Sequence, residues 1–358
     1  MEMRFLEECC EILDFMRVPI TATNRESGEY PYYGANGIQD YISNYIFDDE
    51  LVLLAEDGGS FGSKDRPIAY RVSGKCWVNN HAHVLKPKKG LNVDYLCYSL
   101  MFYKVDGIIN GATRQKLTQA AMRKILIPLR SMQEQTQVVD ILNCIRDIKN
   151  KRKQQLQEMD KLVKAQFVEM FGDPQTNPNG YRRIKLSDIA TYFNGLTYKP
   201  ENVADTGTIV LRSSNVQNGQ LDFADTVRVD CAVKERLMVQ ENDILMCSRN
   251  GSAKLVGKVA LIKDIQEPMS FGAFMMIIRS RYYGYLMTYF QMDAFRQQIK
   301  TGATTTINQI TGRMLDDVTI PLPPMALVEQ FVTFVQQVDK SKLLLKNYLM
   351  KHKSCLIV

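Results

Sequence analysis

The chain repeats a set of short sequence words, and this duplication limits the possible architectures more than any other feature. Residues 111–118 (GATRQKLT) lead into residues 125–129 (ILIPL), and residues 132–135 (MQEQ) follow. Residues 302–309 (GATTTINQ) lead into residues 318–322 (VTIPL), and Met325 and then Glu329-Gln330 follow. The copies lie about 190 residues apart. A repeat of this size predicts two copies of one fold in tandem.

The beginnings of the two copies resemble each other more weakly than their ends do. The paired segments are 6–15 with 186–195, 32–36 with 211–215, 51–58 with 243–251, and 79–83 with 270–274. The order of the segments agrees while their side chains diverge. This pattern indicates two copies of one fold that recognise different ligands.

A turn-rich segment separates the copies. Residues 171–180 (FGDPQTNPNG) are dense in Gly, Pro, Asn and Asp, which end helices and open turns. We therefore expect a globule, a helix, a second globule and a second helix. The predicted boundaries are 1–131 for the first domain, 132–171 for the first helix, 172–325 for the second domain and 326–358 for the second helix.

Within each predicted domain, short runs rich in β-branched and aromatic residues alternate with turn residues. Examples are 51–55, 75–78, 208–211 and 256–262. Helical stretches lie between these runs, so the pattern predicts a mixed α/β fold. The predicted fold class is two similar α/β domains in tandem, joined by two long helices that form an antiparallel coiled coil with pseudo-twofold symmetry.

Both predicted long helices carry an apolar seam at three- and four-residue spacing, which is typical of paired helices. Lys149 and Arg152 interrupt the first seam, and Ser341 interrupts the second. The predicted interface residues are Val138, Leu142, Ile145, Leu156, Met159, Val163, Phe331, Phe334, Val338, Leu345 and Tyr348.

Two arrangements could cover these seams. Each helix could pack on its own domain, or the two could pack against each other. A helix of about 35 residues is roughly 50 Å long, which exceeds the width of a small domain. A half-apolar helix of that length needs a partner along its length. We therefore favour an antiparallel pair, which would hold the domains at its opposite ends.

The segment 164–174 (KAQFVEMFGDP), followed by Asn177-Pro178, resembles the central junction of type I restriction–modification specificity subunits. The repeated words resemble the ends of the target-recognition domains in that family. The resemblance implies two target-recognition domains, two partner methyltransferase subunits and, where the system restricts, two motor-nuclease subunits. S-adenosylmethionine, ATP and Mg would belong to those partners, and this chain would bind no cofactor itself.

Duplex DNA is the predicted ligand. Two divergent domains on a spacer suit an extended ligand, and a separation of about 50 Å corresponds to roughly one and a half helical turns. The formal net charge of +6 is compatible with a polyanion. Because the copies differ, we expect a two-part, asymmetric target. The alternative hypothesis is a helical scaffold that joins proteins and has no role in DNA binding.

The candidate DNA contacts combine charge, amides and hydroxyls at predicted turns. Arg249 suits guanine and Asn250 suits adenine, because each can form bidentate hydrogen bonds with that base. Asp57 suits cytosine as an acceptor. The full set is Asn36, Asp57, Asn80, His81, Arg114, Lys116, Arg212, Ser213, Asn215, Arg249, Asn250, Lys254, Thr304, Thr305 and Asn308.

Catalytic and metal-binding motifs are not found in the sequence. It contains no glycine-rich phosphate loop ending in Lys-Ser/Thr, and three histidines make a Ser-His-Asp arrangement improbable. The eight cysteines contain no CxxC pair. His81 and His83 could share a strand face, but no third metal ligand is evident nearby. We therefore expect a non-catalytic cytoplasmic protein without a metal or a membrane span.

Overall fold

A computed structural model describes residues 2–111, 115–299 and 309–351, with side chains described as far as Asn347. The chain divides into two compact units, one containing the residues up to Arg152 together with those from Leu349 onward, and one spanning Lys153–Tyr348. The boundary lies inside a long helix, so each unit includes part of that helix.

The first unit is built on a six-stranded sheet. The strands of this unit, two of which lie outside the sheet, are β1 (Glu2–Phe5), β2 (Cys10–Ile12), β3 (Ser27–Gly34), β4 (Gly37–Ile42), β5 (Phe47–Ala55), β6 (Ala69–Val78), β7 (Ala82–Pro87) and β8 (Leu126–Leu129). Its helices are α1 (Leu6–Cys9), α2 (Val93–Met101), α3 (Gln119–Arg123) and α4 (Met132–Phe171), of which α4 continues into the second unit. The sheet order is β2-β7-β5-β6-β3-β4, and β1 pairs separately with β8.

Strand β5 shows why the sheet lies between two apolar layers. Val52 and Leu54 pack into one hydrophobic cluster, with α2 and Leu6, while Leu51 and Leu53 pack into another. Successive side chains of a strand point to opposite faces. The part of β5 that is apolar at every position, residues 51–55, is therefore buried on both faces.

The second unit has more and shorter strands. They are β9 (Arg183–Lys185), β10 (Thr191–Asn194), β11 (Val203–Ala204), β12 (Thr208–Leu211), β13 (Val216–Gln217), β14 (Gln220–Leu221), β15 (Arg228–Val229), β16 (Ile244–Cys247), β17 (Val259–Leu261), β18 (Met269–Phe271), β19 (Met275–Arg279) and β20 (Thr319–Pro321). Its further helices are α5 (Tyr283–Tyr289), α6 (Asp293–Ile299), α7 (Gly312–Asp316) and α8 (Met325–Lys351).

The strand pairing confirms the duplication. In the first unit, β5 lies between antiparallel β6 and β7, and in the second, β16 lies between antiparallel β17 and β19. The end of β6 pairs in parallel with β3, as β18 does with β12. The small pair β1·β8 corresponds to β9·β20. The long strand β6 is therefore equivalent to β17 and β18 together.

Matching hydrogen bonds extend the duplication to the helices. Thr118 caps α3 and Thr311 caps α7, in each case by accepting a backbone N–H three residues further on. The Tyr95 hydroxyl of α2 donates to the carbonyl of Pro128, and the Tyr285 hydroxyl of α5 donates to the carbonyl of Pro321. The repeated Ile-Pro-Leu words therefore form equivalent strands that receive equivalent tyrosines.

Helix α4 begins at a reciprocal cap and occupies the range expected from the sequence. The Ser131 N–H donates to the Glu134 carboxylate at 3.0 Å, and the Glu134 N–H donates to the Ser131 hydroxyl at 3.3 Å, which is a capping box. Val138 packs against the core of the first unit, and Val139 is buried in it. Whether Val138 also contacts α8, as the sequence predicts, stays a prediction.

In the second unit, α4 and α8 pack against each other in opposite directions. Phe331 near the start of α8 contacts Phe167 and Phe171 at the end of α4, with ring centroids 5.6 and 5.4 Å apart. Further along α8, the Lys342 ammonium lies 2.7 Å from the carboxylate of Asp160, which is earlier in α4. Because residues later in α8 contact residues earlier in α4, the two helices run antiparallel.

The burial of the individual side chains supports the predicted seam in both helices. Val163 and Phe334 pack against the core of the second unit. All ten predicted seam residues whose side chains are described are buried or half-buried. Val138, Leu142 and Ile145 lie in the first half of α4, and the others are Leu156, Met159, Val163, Phe331, Phe334, Val338 and Leu345. The side chain of Tyr348 lies outside the described residues. Pairing between α8 and the first half of α4 stays a prediction.

The polar interruption of the α8 seam was assigned to the wrong residue. Ser341 is exposed, whereas the Lys342 side chain is only 13% exposed. The residues Phe331, Val335, Val338, Lys342 and Leu345 follow four- and three-residue steps, which keeps one face of a helix toward its partner. The seam therefore contains a lysine, and Ser341 points away from it.

None of the described helices combines the length and the apolar character that a membrane crossing requires.

Candidate nucleic-acid interface

Two loops meet at the end of a central strand in each unit, and the same backbone hydrogen bond joins them. In the first unit, the N–H of Glu56, just after β5, donates to the carbonyl of His81 at 2.9 Å. In the second, the N–H of Ser248, just after β16, donates to the carbonyl of Phe274 at 3.0 Å. Glu56 is therefore equivalent to Ser248, and His81 to Phe274.

A third segment joins each pair of loops through a second conserved hydrogen bond. The N–H of Leu117 donates to the carbonyl of Glu56, and the N–H of Ile310 donates to the carbonyl of Ser248, both at 2.7 Å. Isolated bridges then pair Asp57 with Lys116 and Arg249 with Gln309. The trio of Asp57, His81 and Lys116 corresponds to the trio of Arg249, Phe274 and Gln309.

The site of the first unit gathers five of the predicted residues. The Asp57 carboxylate lies 2.6 Å from Nδ1 of His81, and the Asn36 amide donates to the carbonyl of Gly58 at 2.9 Å. Asn80 is exposed beside His81. The Lys116 ammonium is half exposed and pairs with Glu56 at 3.0 Å. The fold therefore presents donors and acceptors of both charges together.

A buried polar network supports this site from beneath. His83 is fully buried, with Nδ1 2.6 Å from Asp14 and Nε2 2.8 Å from the carbonyl of Leu117. Glu56 pairs with Arg17 at 2.6 Å. Burial opposes the ionisation of Asp14, but hydrogen bonds from His83, Gln119 and the Val84 N–H outweigh it and hold its pKa below its usual value.

Asp14, Glu56 and His83 come within the spacing of a metal site, but their hydrogen bonds indicate another role. Both nitrogens of His83 lie within hydrogen-bond distance of protein oxygens, Nδ1 near the Asp14 carboxylate and Nε2 near the Leu117 carbonyl, so both already have partners inside the protein. Both carboxylates accept hydrogen bonds or ion pairs from protein groups. We interpret the cluster as a structural network that orients the loops.

The site of the second unit is centred on Arg249. Its guanidinium lies over the Phe274 ring, 5.3 Å from the ring centre. The Asn250 side chain donates to the hydroxyl of Ser213 at 3.1 Å and accepts from the N–H of Ser252 at 2.9 Å. Arg249 is exposed and Asn250 is half-buried. The loop therefore holds an amide in a fixed orientation beside an accessible guanidinium.

Two other candidates lie at the edges of this site. Lys254 is exposed on the 3₁₀ turn that follows the Arg249 loop. Arg212 is half-buried and pairs with Asp225 at 2.7 Å. Whether they touch a ligand stays a prediction.

Asn215 has a structural role instead of the predicted contact. Its side chain is buried, accepts from the N–H of Arg212, and donates to the carbonyls of Asp222 and Asp225. All its polar atoms are used inside the protein, so none is available to a base. The misassignment came from equating Asn215 with Asn36, whereas the strand pairing makes Ser214 the equivalent of Asn36.

Four predicted contacts lie outside the described residues, namely Arg114, Thr304, Thr305 and Asn308. The described residues that follow the Gly-Ala-Thr words are Lys116 and Gln309. They form equivalent bridges to the loops after β5 and β16. In both units, these two residues therefore lie at the candidate site.

Sequence reasoning missed Phe274 and Gln309. The paired segments 79–83 and 270–274 equated His83 with Phe274, but the hydrogen bonds equate His81 with Phe274. The available signal was an aromatic residue directly before an apolar strand. Its value becomes visible only once the register is known.

The structure therefore defines a class of protein, namely a tandem recognition protein in which one frame presents two different sets of side chains. Residues 1–158 and 178–350 match the model of the type I restriction modification DNA specificity domain, and the chain belongs to this family. The sequence resemblance is thereby confirmed.

Individual relatives agree with this assignment. A Haemophilus influenzae protein described as a type I restriction enzyme specificity subunit is 40% identical over 144 residues, which are 40% of this chain and 37% of that protein. The specificity subunit of the Escherichia coli EcoKI enzyme is 31% identical over 178 residues, 46% of this chain and 38% of that protein. The alignments thus span less than half the length of these relatives.

Solved structures show the same fold over nearly the whole chain. The S subunit of a type I restriction–modification system from M. genitalium aligns with a TM-score of 0.53 and 12% identity, covering 99% of this chain and 94% of that one. A chain from a study of complex assembly in a type I restriction–modification system aligns with a TM-score of 0.58 and 15% identity, at the same coverages.

Proposed function

We propose that this chain is the DNA-recognition subunit of a type I restriction–modification complex. It would bind a two-part, asymmetric duplex target, with one half-site for each domain, and the long helices would set the gap between the halves. The chain itself would carry out no catalysis. Its membership of the DNA specificity family supports this proposal.

One structural observation carries the proposal. Equivalent backbone positions hold Asp57, His81 and Lys116 in the first unit, and Arg249, Phe274 and Gln309 in the second. A frame that only supported a scaffold would have no reason to exchange acid for base at a half-exposed loop position. A frame that reads two different half-sites needs that exchange, because sequence is read by side chains at base edges.

The chemistry of each site suggests what it would read. Arg249 suits the O6 and N7 acceptors of guanine, and the oriented amide of Asn250 suits adenine. Asp57 suits the N4 amino group of cytosine. Lys116 and Lys254 would contact phosphates, which position the protein without carrying sequence information.

We propose that the partners are duplex DNA, two methyltransferase subunits and, where the system restricts, two motor-nuclease subunits. In that assembly the methyltransferase subunits would hold S-adenosylmethionine, and the motor-nuclease subunits would hold ATP and Mg. The long helices are the proposed attachment surface for these partner subunits, since they lie outside the β-sheets. The assembly would act in the cytoplasm.

The experiment is to map methylated adenines in cells that express this chain with its methyltransferase. We expect one split motif with a fixed gap. Asp57→Ala should relax one half of that motif, and Arg249→Ala should relax the other. Each lost base contact should reduce discrimination by about 1–3 kcal/mol.

Ser341→Ala is the matched control, because this residue is exposed on α8 and outside both sites. The control should leave the motif unchanged. Methylation without a split motif, or variants that change both halves alike, would refute two-domain reading. Loss of complex assembly without any sequence preference would favour the scaffold hypothesis instead.

A further inference from the structure

The least expected side chain at the second site is Phe274. Its ring is 59% exposed, although it follows a tight turn whose neighbouring strands are buried. Single exposed apolar residues are ordinary on protein surfaces. Phe274 differs because it occupies the position equivalent to His81, and because a guanidinium lies over it.

Backbone hydrogen bonds join the two loops that carry the ring and the guanidinium. The N–H groups of both Ser248 and Arg249 donate to the carbonyl of Phe274, at 3.0 and 3.1 Å. The turn before Phe274 is closed by the N–H of Met275, which donates to the carbonyl of Gly272 at 2.8 Å. These bonds join the backbones of the two loops, so the side chains of Phe274 and Arg249 start from neighbouring positions.

From this geometry we infer that Arg249 and Phe274 together read a guanine with a neighbouring thymine. The inference rests on the proposed function. Arg249 donates to O6 and N7 of guanine, and the exposed ring packs on the C5-methyl group of the adjacent thymine. Neighbouring bases are stacked about 3.4 Å apart along the helix axis, so groups 5.3 Å apart can reach adjacent base pairs.

The first domain provides the internal contrast. There the equivalent positions hold Asp57 and His81, joined by a polar contact of 2.6 Å. This pair has no apolar face comparable to the ring of Phe274. The half-site of the first domain should therefore not depend on a thymine methyl at the equivalent position.

The test uses the full chain assembled with its methyltransferase and two duplex libraries with a randomised central window. One library contains thymidine, and the other contains deoxyuridine in its place, which removes only the C5-methyl group. Bound duplexes are sequenced for the wild type, Phe274→Ala, Phe274→Leu and Arg249→Ala. The half-site that Arg249→Ala alters is assigned to the second domain.

We expect the wild type to select a thymine beside the guanine, and this selection should fall about fourfold in the deoxyuridine library, the effect of one methyl group. Phe274→Ala should lose the difference between the libraries and keep the guanine. Phe274→Leu should retain the difference, because it keeps an apolar surface. The other half-site should be the same for both Phe274 variants and the wild type.

The outcomes separate this inference from the proposed function. Selection of a split motif with equal enrichment in both libraries, or a thymine preference that survives Phe274→Ala, overturns the reading of a thymine methyl and leaves the proposed function standing. Failure of both libraries to yield any motif overturns both.

Discussion

Replacing Lys342 by methionine tests whether a charged residue lies in the seam between α4 and α8. The lysine side chain is 13% exposed, and its ammonium pairs with Asp160 at 2.7 Å and with Asp339 at 3.9 Å. Methionine has a similar length and needs no hydrogen-bond partner. Replacing a buried ion pair by apolar groups of similar volume is often neutral or stabilising.

The magnitude depends on which partner is removed. Asp160→Asn leaves the ammonium in the seam with the more distant Asp339 as its remaining acidic partner, and should destabilise the second unit by about 1 kcal/mol. This value is modest because Asp160 is 60% exposed, so water screens the pair. Lys342→Met leaves Asp160 hydrated, and should change stability by between zero and about 1 kcal/mol in the stabilising direction.

The assay is thermal unfolding followed by circular dichroism, with hydrogen exchange to locate the change in α8. For a unit of this size, 1 kcal/mol shifts the midpoint by about 2–4 °C. Glu158→Gln is the matched control, because Glu158 pairs with Lys161 at 2.9 Å on the exposed face of α4. The reasoning fails if Asp160→Asn behaves like this control, or if Lys342→Met is as destabilising as Asp160→Asn.

Three further predictions concern the core and the sites. Phe331→Ala should destabilise the second unit by about 3–5 kcal/mol in chemical denaturation, because the ring is fully buried, whereas Leu344→Ala, at an exposed position, should have little effect. Because the pKa of Asp14 is lowered in the folded state, its contribution to stability is present at neutral pH and is lost as pH falls through that pKa. The stability of Asp14→Asn should therefore depend less on pH below about pH 4 than that of the wild type, which acid unfolding measures. Lys116→Ala should lower both DNA affinity and the melting temperature, because it leaves the buried Glu56 with one fewer partner, and Arg249→Ala should lower affinity alone.

Features carried by repeated words could be predicted from the sequence. The Ile-Pro-Leu segments formed equivalent strands, and the range 132–171 formed one helix, because apolar spacing and turn residues are local signals. The mixed α/β class followed from the same signals. These features need no knowledge of which strand pairs with which.

Features that depend on register could not be predicted. In the first unit, β6 is one strand, but in the second, residues 262–268 separate β17 from β18. An insertion of this kind shifts the alignment of the segments that follow it, such as 79–83 and 270–274. In α8, Ser341 and Lys342 are adjacent polar residues, and the sequence alone did not tell which of them interrupts the seam.

The two sites differ in how closely they are tied to the core, and this difference determines which substitutions each site can accept. In the first unit, Glu56 is a buried carboxylate that pairs with Lys116 above it and Arg17 beside it. In the second unit, the equivalent residue is Ser248, which carries no charge. A substitution at Lys116 therefore disturbs a buried charge, whereas a substitution at Arg249 does not. The second domain should accept changes at Arg249 without loss of stability, whereas a change at the phosphate-contacting Lys116 of the first domain should need a compensating change at Glu56.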